Sequence, residues 1–276
     1  MRVLRLAFLL AASPSLLAIQ SAVAATPLVP HRAVYDLVLD QASDRSGITG
    51  LNGRMVYEFN GSACEGYTVK FRFVTQIDTR EVSRLTDQQT TTFEDGDGKS
   101  FSFVTKSFVD QNPEREVKGT ATIDAAKLNV ALEKPQPDTL TLDATQFPTQ
   151  HLIELIGKAN KGETFYETSL FDGSEDADRV MTTTVVIGKE ENGTSTDPEA
   201  PAMDKLAPEP FWPVDIAYFD ETKDAEGGEE LPEYRISFKL HENGITRDLL
   251  MDYGDFSMKG KLVTLAVFDA PKDCVR

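Results

Sequence analysis

The sequence has few of the side chains that enzymes use most often for chemistry. Its 276 residues include three histidines, two cysteines and one tryptophan. The cysteines do not form a Cys-x-x-Cys pair, which argues against a redox-active dithiol. No Gly-x-Ser-x-Gly, phosphate-binding loop, dinucleotide fingerprint or His-Glu-x-x-His motif occurs in the chain. The sequence therefore predicts no catalytic residues, no cofactor and no metal site.

Positive charge is also scarce. The chain has 28 Lys and Arg residues against 45 Asp and Glu residues, which gives a net charge of -17. No basic stripe is present to neutralise phosphates, so we expect no nucleic-acid partner. We interpret the acidity as a contribution to solubility, with binding of a basic partner as the alternative.

Long apolar runs are absent except at the N-terminus. Two arginines precede an apolar run at residues 6–19, and Ala22-Val23-Ala24 then provides a small-x-small cleavage site. This pattern is typical of a cleaved secretory signal peptide, and the run is short for a transmembrane helix. No cysteine near the cleavage site offers a lipid anchor. We expect residues 1–25 to be removed and residues 26–276 to form a single exported soluble domain.

The two cysteines lie far apart in the sequence, at Cys64 and Cys274. In an exported protein such a pair predicts a disulfide, and only one intramolecular pairing is possible. The bond would close a loop over most of the mature chain, for which the chain-entropy argument gives roughly 5 kcal/mol. Two free thiols are the alternative.

The C-terminal part of the chain has the clearest strand pattern. Apolar and polar residues alternate from Tyr234 to Leu240, which predicts a strand with one buried face. Asn243-Gly244 predicts a tight turn, and a second alternating run follows between Ile245 and Tyr253. The run from Leu262 to Phe268 is nearly continuous in apolar residues, which predicts a strand covered on both faces. Together these runs predict a β-meander.

Similar runs occur throughout the chain. Tyr67 to Ile77 alternates clearly, and Asp95-Gly96-Asp97-Gly98 predicts a hairpin turn. We prefer the turn to a calcium loop because Lys99 and Ser100 break the ligand pattern. Turn signals recur about every ten residues, which indicates an all-β, mainly antiparallel barrel or sandwich.

One segment has helical spacing instead. The spacing predicts a helix between Phe147 and Lys161, with Thr149 as its cap and Gly162 at its end. We expect its apolar side chains to pack against the concave side of the sheet. These side chains are Leu152, Ile153, Leu155, Ile156 and Ala159.

The histidines carry little functional signal. His151 and Glu154 are one helical turn apart, a spacing that can bind a metal, but one such pair is insufficient and we favour packing for His151. His31 lies at the predicted mature N-terminus, and His241 is expected on the polar face of a strand beside a turn.

Two acidic segments interrupt the strands. Residues 188–210 are rich in Glu, Pro, Thr and Ala and are predicted to form a mobile loop. Residues 220–233 form a second acidic loop. We could assign neither segment a role from the sequence.

The number of phenylalanines is compatible with one binding function. The chain has 16 phenylalanines, many at alternating strand positions, and most must belong to a core. If the sheet curls into a wide barrel, some would line a cavity suited to a lipid-like ligand.

Several stretches taken together resemble the EipB family, the envelope integrity proteins of alphaproteobacteria. The resemblance covers essentially the whole mature chain. Its motifs are Leu28 to Leu37, Tyr57-Glu58-Phe59, Cys64-Glu65-Gly66-Tyr67, Phe147-Pro148-Thr149-Gln150-His151, Phe171-Asp172-Gly173-Ser174 and Asp252-Tyr253-Gly254-Asp255-Phe256.

The resemblance implies an open, spiral-like antiparallel β-barrel of about fourteen strands. It also implies a periplasmic location, a disulfide between Cys64 and Cys274, and a role in the cell envelope without established enzymatic activity. We therefore expect a non-catalytic monomer that binds an apolar envelope ligand or a periplasmic protein partner. The alternative is a hydrolase that uses a carboxylate pair on peptidoglycan or another envelope polymer.

Overall fold

The computed structural model describes residues 28–220 and 231–269. The predicted signal peptide, Cys274 and most of the second acidic segment lie outside the described residues. Within these two ranges no helix is long and apolar enough to cross a membrane.

The described residues fold mainly into strands. The strands are β1 (His31–Ala42), β2 (Ile48–Ser62), β3 (Gly66–Thr79), β4 (Ser83–Glu94), β5 (Ser100–Val109), β6 (Asn112–Asp124), β7 (Lys127–Lys134), β8 (Asp138–Asp143), β9 (Phe165–Leu170), β10 (Met181–Ile187), β11 (Glu191–Asn192), β12 (Pro210–Phe219), β13 (Tyr234–Leu240), β14 (Thr246–Asp252) and β15 (Phe256–Val267). The helices are α1 (Pro148–Asn160) and α2 (Ala200–Met203), and α2 continues into a short 3-10 helix (Asp204–Leu206).

The strands form one antiparallel sheet in the order β8-β7-β6-β5-β4-β3-β2-β1-β15-β14-β13-β12-β10-β9, and β11 pairs with β12. The first and last strands of the chain are therefore neighbours in the middle of the sheet. The two ends of the sheet, β8 and β9, come from the middle of the chain. Sequential hairpins build both arms.

The two ends of the sheet approach each other without pairing as strands. Between them the described residues form one isolated parallel bridge, from Gln146 to Leu170. The Thr145 and Ser169 hydroxyls also lie 2.7 Å apart. The antiparallel strand order and the two unpaired ends of the described sheet confirm the predicted open, mainly antiparallel β-barrel.

Alternation along the strands places one set of side chains on the face that carries the core, which we call the inner face. The inner face carries three apolar clusters. The first includes Tyr35 and Met55, the second includes Val185 and Val214, and the third includes Phe101. Each cluster is built mainly by neighbouring strands.

Of the two C-terminal strands β13 and β15, β13 matches its prediction closely and β15 differs from it. β13 has the predicted bounds, because its alternation reflects one buried face. The strand predicted from Leu262 to Phe268 is longer, and the prediction that both its faces are covered is wrong. Val263 is 37% exposed and Val267 is 51% exposed. A register shift opposite Val34 and Tyr35 interrupts the pairing there, so the alternation of buried and exposed residues is lost.

The start of α1 is capped by a distant residue. Thr149, the predicted cap, lies inside the first turn, and Phe147 occupies the cap position without a side-chain hydrogen bond. Instead the buried carboxylate of Glu94 on β4 accepts hydrogen bonds from the amides of Thr149 (2.8 Å) and Gln150 (3.0 Å). This carboxylate satisfies two amides that would otherwise lack partners and ties the helix to the opposite arm of the sheet.

The end and the packing of α1 largely follow the sequence. Gly162 ends the helix with a φ of 74°, a conformation that glycine adopts without a steric penalty. Leu155 and Ile156 are buried in the second cluster, which confirms packing on the inner face. Leu152 is only half-buried, and the predicted burial of Ile153 is wrong, because its side chain is 36% exposed.

Leu155 and Ile153 provide a matched test of this packing. Leu155 is 1% exposed, so Leu155→Asp places an unpaired charge in the core. We expect it to lower the free energy of unfolding by about 4 kcal/mol and Tm by about 10 °C. Ile153→Asp introduces the same charge on the exposed side of the helix and should change Tm by only a few degrees. Thermal unfolding measures both, and equal losses would contradict the observed orientation of the helix.

The first acidic segment is not a mobile loop as predicted. Its central part, α2 and the following 3-10 helix, lies on the inner face over β15 and the first cluster. Met203 is 2% exposed among the core residues of that cluster. The Pro- and Glu-rich composition suggested disorder because the apolar residues that fix the segment, Met203 and Leu206 among them, do not form a periodic pattern over its length.

Candidate binding site on the inner face

One row of side chains crosses the inner face of six neighbouring strands. Successive cross-strand partners in this row are Tyr35, Met55, Phe73, Gln88, Ser107 and Arg115. The row is buried at its β1 end, where α2 and its neighbours cover the first cluster. It changes from apolar to polar between β3 and β4, and Gln88 is exposed although it lies on the inner face.

The polar half of the row borders a pocket of about 180 Å³. We call it the polar pocket; its lining residues are Gln88, Thr105, Ser107, Arg115, Val117 and Glu175. Glu175 comes from the connection between β9 and β10. This connection is held in place because Phe171 and Ala177 belong to the third core cluster.

Both charged residues of the polar pocket have partners of opposite charge. Arg115 forms an ion pair with Asp176. Glu175 lies 3.3 Å from the guanidinium of Arg179, which also pairs with Asp178 and Asp220. The pocket therefore presents one guanidinium and one carboxylate whose charges are locally compensated.

A row of aromatic rings lies on the other arm of the inner face. Tyr218 and Tyr234 stack with ring centroids 4.2 Å apart, and Tyr253 and Phe256 continue the row at 6.1 and 5.1 Å. Burial raises the pKa of Tyr234 well above its usual value, and the carboxylates of Asp172 and Glu175 contribute to this shift.

A second polar cluster holds the first acidic segment in place. Arg247 on β14 is 1% exposed. Its guanidinium donates to Asp197 (2.5 Å) and lies 3.8 Å from Glu199. Lys239 also donates to Asp197, at 3.1 Å. The backbone amide of Leu262 donates to the other oxygen of Glu199, at 2.5 Å. These contacts attach the acidic segment to β13, β14 and β15.

The pKa shifts in this cluster follow from burial and hydrogen bonding. Burial raises the pKa of Asp197, but hydrogen bonds from the Glu199 amide, Arg247 and Lys239 outweigh it and bring the pKa to about 2. Burial dominates for Glu199 and raises its pKa, although hydrogen bonds from the backbone amides of Leu262 and Asp248 act in the opposite direction. The cluster therefore contains one firmly ionised carboxylate and one that is costly to ionise.

The prediction for His241 is wrong, since its ring is buried in this same cluster. Its Nε2 accepts a hydrogen bond from Arg247 at 3.0 Å, so the proton of the neutral ring is on Nδ1. Among residues 28–220 and 231–269, Nδ1 has no hydrogen-bond partner of normal geometry, although the Pro210 backbone acts to raise the pKa. Burial and the charge of Arg247 lower the pKa to about 4. The ring therefore stays neutral near pH 7.

The other two histidines also serve the core. His151 lies on the buried side of α1 and is 5% exposed; its Nε2 lies 3.5 Å from the Thr183 hydroxyl, and burial lowers its pKa to about 4. His31 is 3% exposed and its Nδ1 contacts the Val29 carbonyl at 2.7 Å. In the described ranges, no group of three or more His, Cys, Asp or Glu residues is arranged to hold a metal.

The predicted disulfide is only partly within the described residues. Cys64 lies in the turn between β2 and β3, whereas Cys274 lies beyond residue 269. The pairing stays a prediction. The residues of the polar pocket and the Arg247 cluster were not predicted. The one available signal was Arg247 itself, a charged residue at a core-facing position of an alternating strand.

This arrangement defines a barrel-like β protein with polar and aromatic groups on an incompletely covered inner face. A protein-family model described as EipB-like matches residues 22–269. The cell envelope integrity protein EipB of Brucella abortus (strain 2308) is 59% identical over 254 residues, which cover 92% of this chain and 89% of that protein. The chain belongs to the EipB-like family.

A solved structure agrees with this assignment. The crystal structure of a beta-barrel-like protein of a domain of unknown function from Brucella abortus superimposes with a TM-score of 0.83. It is 59% identical, and the match covers 89% of this chain and all (100%) of that chain.

Proposed function

We propose that this chain is a non-catalytic periplasmic protein that supports the integrity of the cell envelope by binding an apolar envelope ligand on its inner face. The name of the Brucella abortus relative supports the envelope role. The secretory pattern in residues 1–25 supports the periplasmic location. The alternative to an apolar ligand is a protein partner that binds at the same face.

The observation that carries the proposal is the incomplete cover of the inner face. Phe71 and Phe73 stack 5.9 Å apart and remain half-buried where the sheet passes from β3 to β4. On the other arm, Tyr253 is 40% exposed within the aromatic row, between Tyr234 and Phe256. Partly exposed aromatic groups on a concave surface are typical of binding sites for apolar ligands.

Hydrolysis by a carboxylate pair is less well supported. Such a mechanism needs two carboxyl groups about 5 to 10 Å apart that are free to act on the substrate. Glu175 and Asp176, which lie at the polar pocket, are both engaged by arginines. We therefore favour binding over catalysis.

Fluorescence of N-phenyl-1-naphthylamine, which increases in an apolar environment, tests the proposal. We expect the purified mature protein to bind this probe, and Phe73→Ser and Tyr253→Ser each to weaken binding about tenfold, or about 1.4 kcal/mol. Phe165→Ser is the control, because Phe165 is 61% exposed on the opposite face of the sheet.

Thermal unfolding of all three variants separates lost binding from lost folding. Failure of the wild-type protein to bind the probe would contradict an apolar site. Equal weakening by Phe165→Ser would place the probe outside the inner face and would also contradict the proposal.

A further inference from the structure

The polar pocket is well suited to hydrogen bonding with a ligand. Gln88 and Ser107 are adjacent cross-strand partners that both face the pocket. Within residues 28–220 and 231–269, neither side chain has a hydrogen-bond partner. A glutamine amide has both donor and acceptor groups, and a serine hydroxyl can act in either role. These two residues therefore offer donors and acceptors together.

The charges of the pocket do not favour an ion. Arg115 is neutralised by Asp176, and Glu175 is neutralised by Arg179. A phosphate or sulfate site needs uncompensated positive charge, and a cation site needs uncompensated negative charge. The guanidinium still has free donor positions, and the carboxylate still has free acceptor positions, for an uncharged ligand.

The apolar lining and the size of the pocket limit the class of ligand further. Val117, which is 2% exposed, is the one aliphatic residue among those that line the pocket. The volume of about 180 Å³ is far more than one water molecule needs. A pyranose ring is of comparable size. It combines apolar C–H faces with several hydroxyl groups that both donate and accept hydrogen bonds.

We propose that the polar pocket, formed by the Gln88, Ser107, Arg115 and Glu175 side chains with Val117, binds one sugar ring of an uncharged saccharide. The inference rests on the proposed function in one respect: it places the sugar-bearing end of the ligand on the same inner face. The sugar can come from a free saccharide or from a unit of an envelope glycan or glycolipid, since both present the same hydroxyl pattern.

Saturation-transfer NMR with N-acetylglucosamine, glucose and the β-linked tetramer of N-acetylglucosamine tests this assignment on the mature protein. We expect at least one of these probes to bind, and the double variant Gln88→Leu/Ser107→Ala to weaken that binding about tenfold. We expect this loss because hydroxyl groups of the bound sugar would be buried without hydrogen-bond partners. Gln88 is exposed and Ser107 is half-buried, so the variant should fold normally.

Gln89→Leu is the matched control. Gln89 is the next residue on the same strand, but it faces the outer side and donates to Asp87. This variant should retain wild-type saccharide binding. Binding by the tetramer that is much tighter than by the monosaccharide identifies a glycan unit, and equal binding identifies a free saccharide. Both results support the pocket as a sugar site.

The results also separate this inference from the proposed apolar site. If the saccharide binds but N-phenyl-1-naphthylamine does not, the apolar function fails and the sugar site stands. If none of the three saccharides binds the wild-type protein, the sugar site is overturned. Saccharide binding that is unchanged in Gln88→Leu/Ser107→Ala, or lost equally in Gln89→Leu, also overturns it.

Discussion

The variants Cys64→Ser, Cys274→Ser and the double variant are expected to lower the free energy of unfolding by the same amount, because each removes one and the same disulfide. The chain-entropy argument sets this loss at roughly 5 kcal/mol, and measured values are often smaller. A loss of this size is comparable to the whole stability of many domains. Urea unfolding of the three variants measures it.

The described residues place the end of β15 near the turn that contains Cys64. The backbone amide of Phe268 bonds to the Pro30 carbonyl at 2.8 Å, which fixes the end of the last strand beside β1. Asp269 borders the same surface pocket as Gly61, Glu65 and Gly66, the residues that flank the turn of Cys64. Cys274 follows Asp269 by five residues, which span at most about 18 Å, and its pairing with Cys64 stays a prediction.

Peptide mapping without reduction checks the pairing directly. A cross-linked peptide that contains both cysteines is expected, together with faster proteolysis of residues 262–276 in each variant. Two alkylatable thiols in protein taken from the periplasm, or a double variant as stable as the wild type, would disprove the disulfide.

Removal of Arg247 should have a similarly large effect. Arg247→Leu leaves the carboxylates of Asp197 and Glu199 near the core without their guanidinium partner. Loss of one partner of a buried ion pair typically costs about 3 to 5 kcal/mol. Arg235→Leu is the control, because Arg235 pairs with Asp215 while its side chain is 51% exposed. That exposed pair should contribute at most about 1 kcal/mol.

The effect of Arg247→Leu should depend on pH in a predictable direction. Burial raises the pKa of Glu199 in the folded state, so its contribution to stability is present at low pH and is lost as pH rises through the folded pKa. The difference between wild type and variant should therefore shrink as pH is lowered from 7 towards 4. A difference that grows over this range would contradict the assigned role of the buried carboxylates.

The elements that the sequence predicted are those whose stability depends on local patterns. Tyr234 to Leu240 alternates because one face is buried, and the helix before Gly162 has apolar residues at helical spacing. In contrast, Glu94 caps α1 from a strand more than fifty residues earlier (|i−j| = 55). No local pattern predicts such a contact, so the sequence indicated the nearest capping residue, Thr149, instead.

The candidate site was less predictable for the same reason. Gln88 is polar and exposed, so its sequence context does not distinguish an inner-face position from an outer-face position. Only the register across β3, β4 and β5 places it beside Ser107. Similarly, the burial of Met203 depends on a charge cluster, Arg247 with Asp197, that spans fifty residues (|i−j| = 50) of sequence.

The strand order determines when the two ends of the chain can meet during folding. Each of the strands from β1 to β8 pairs with its sequence neighbour, so this arm needs only short loop closures and can form early. The pairing of β1 with β15 has the largest sequence separation in the sheet and must wait until the last strand is available. During synthesis from the N-terminus, one edge of β1 therefore stays open until β15 has been made. An open strand edge is a risk for aggregation, and rapid capture of that edge by β15 would remove it.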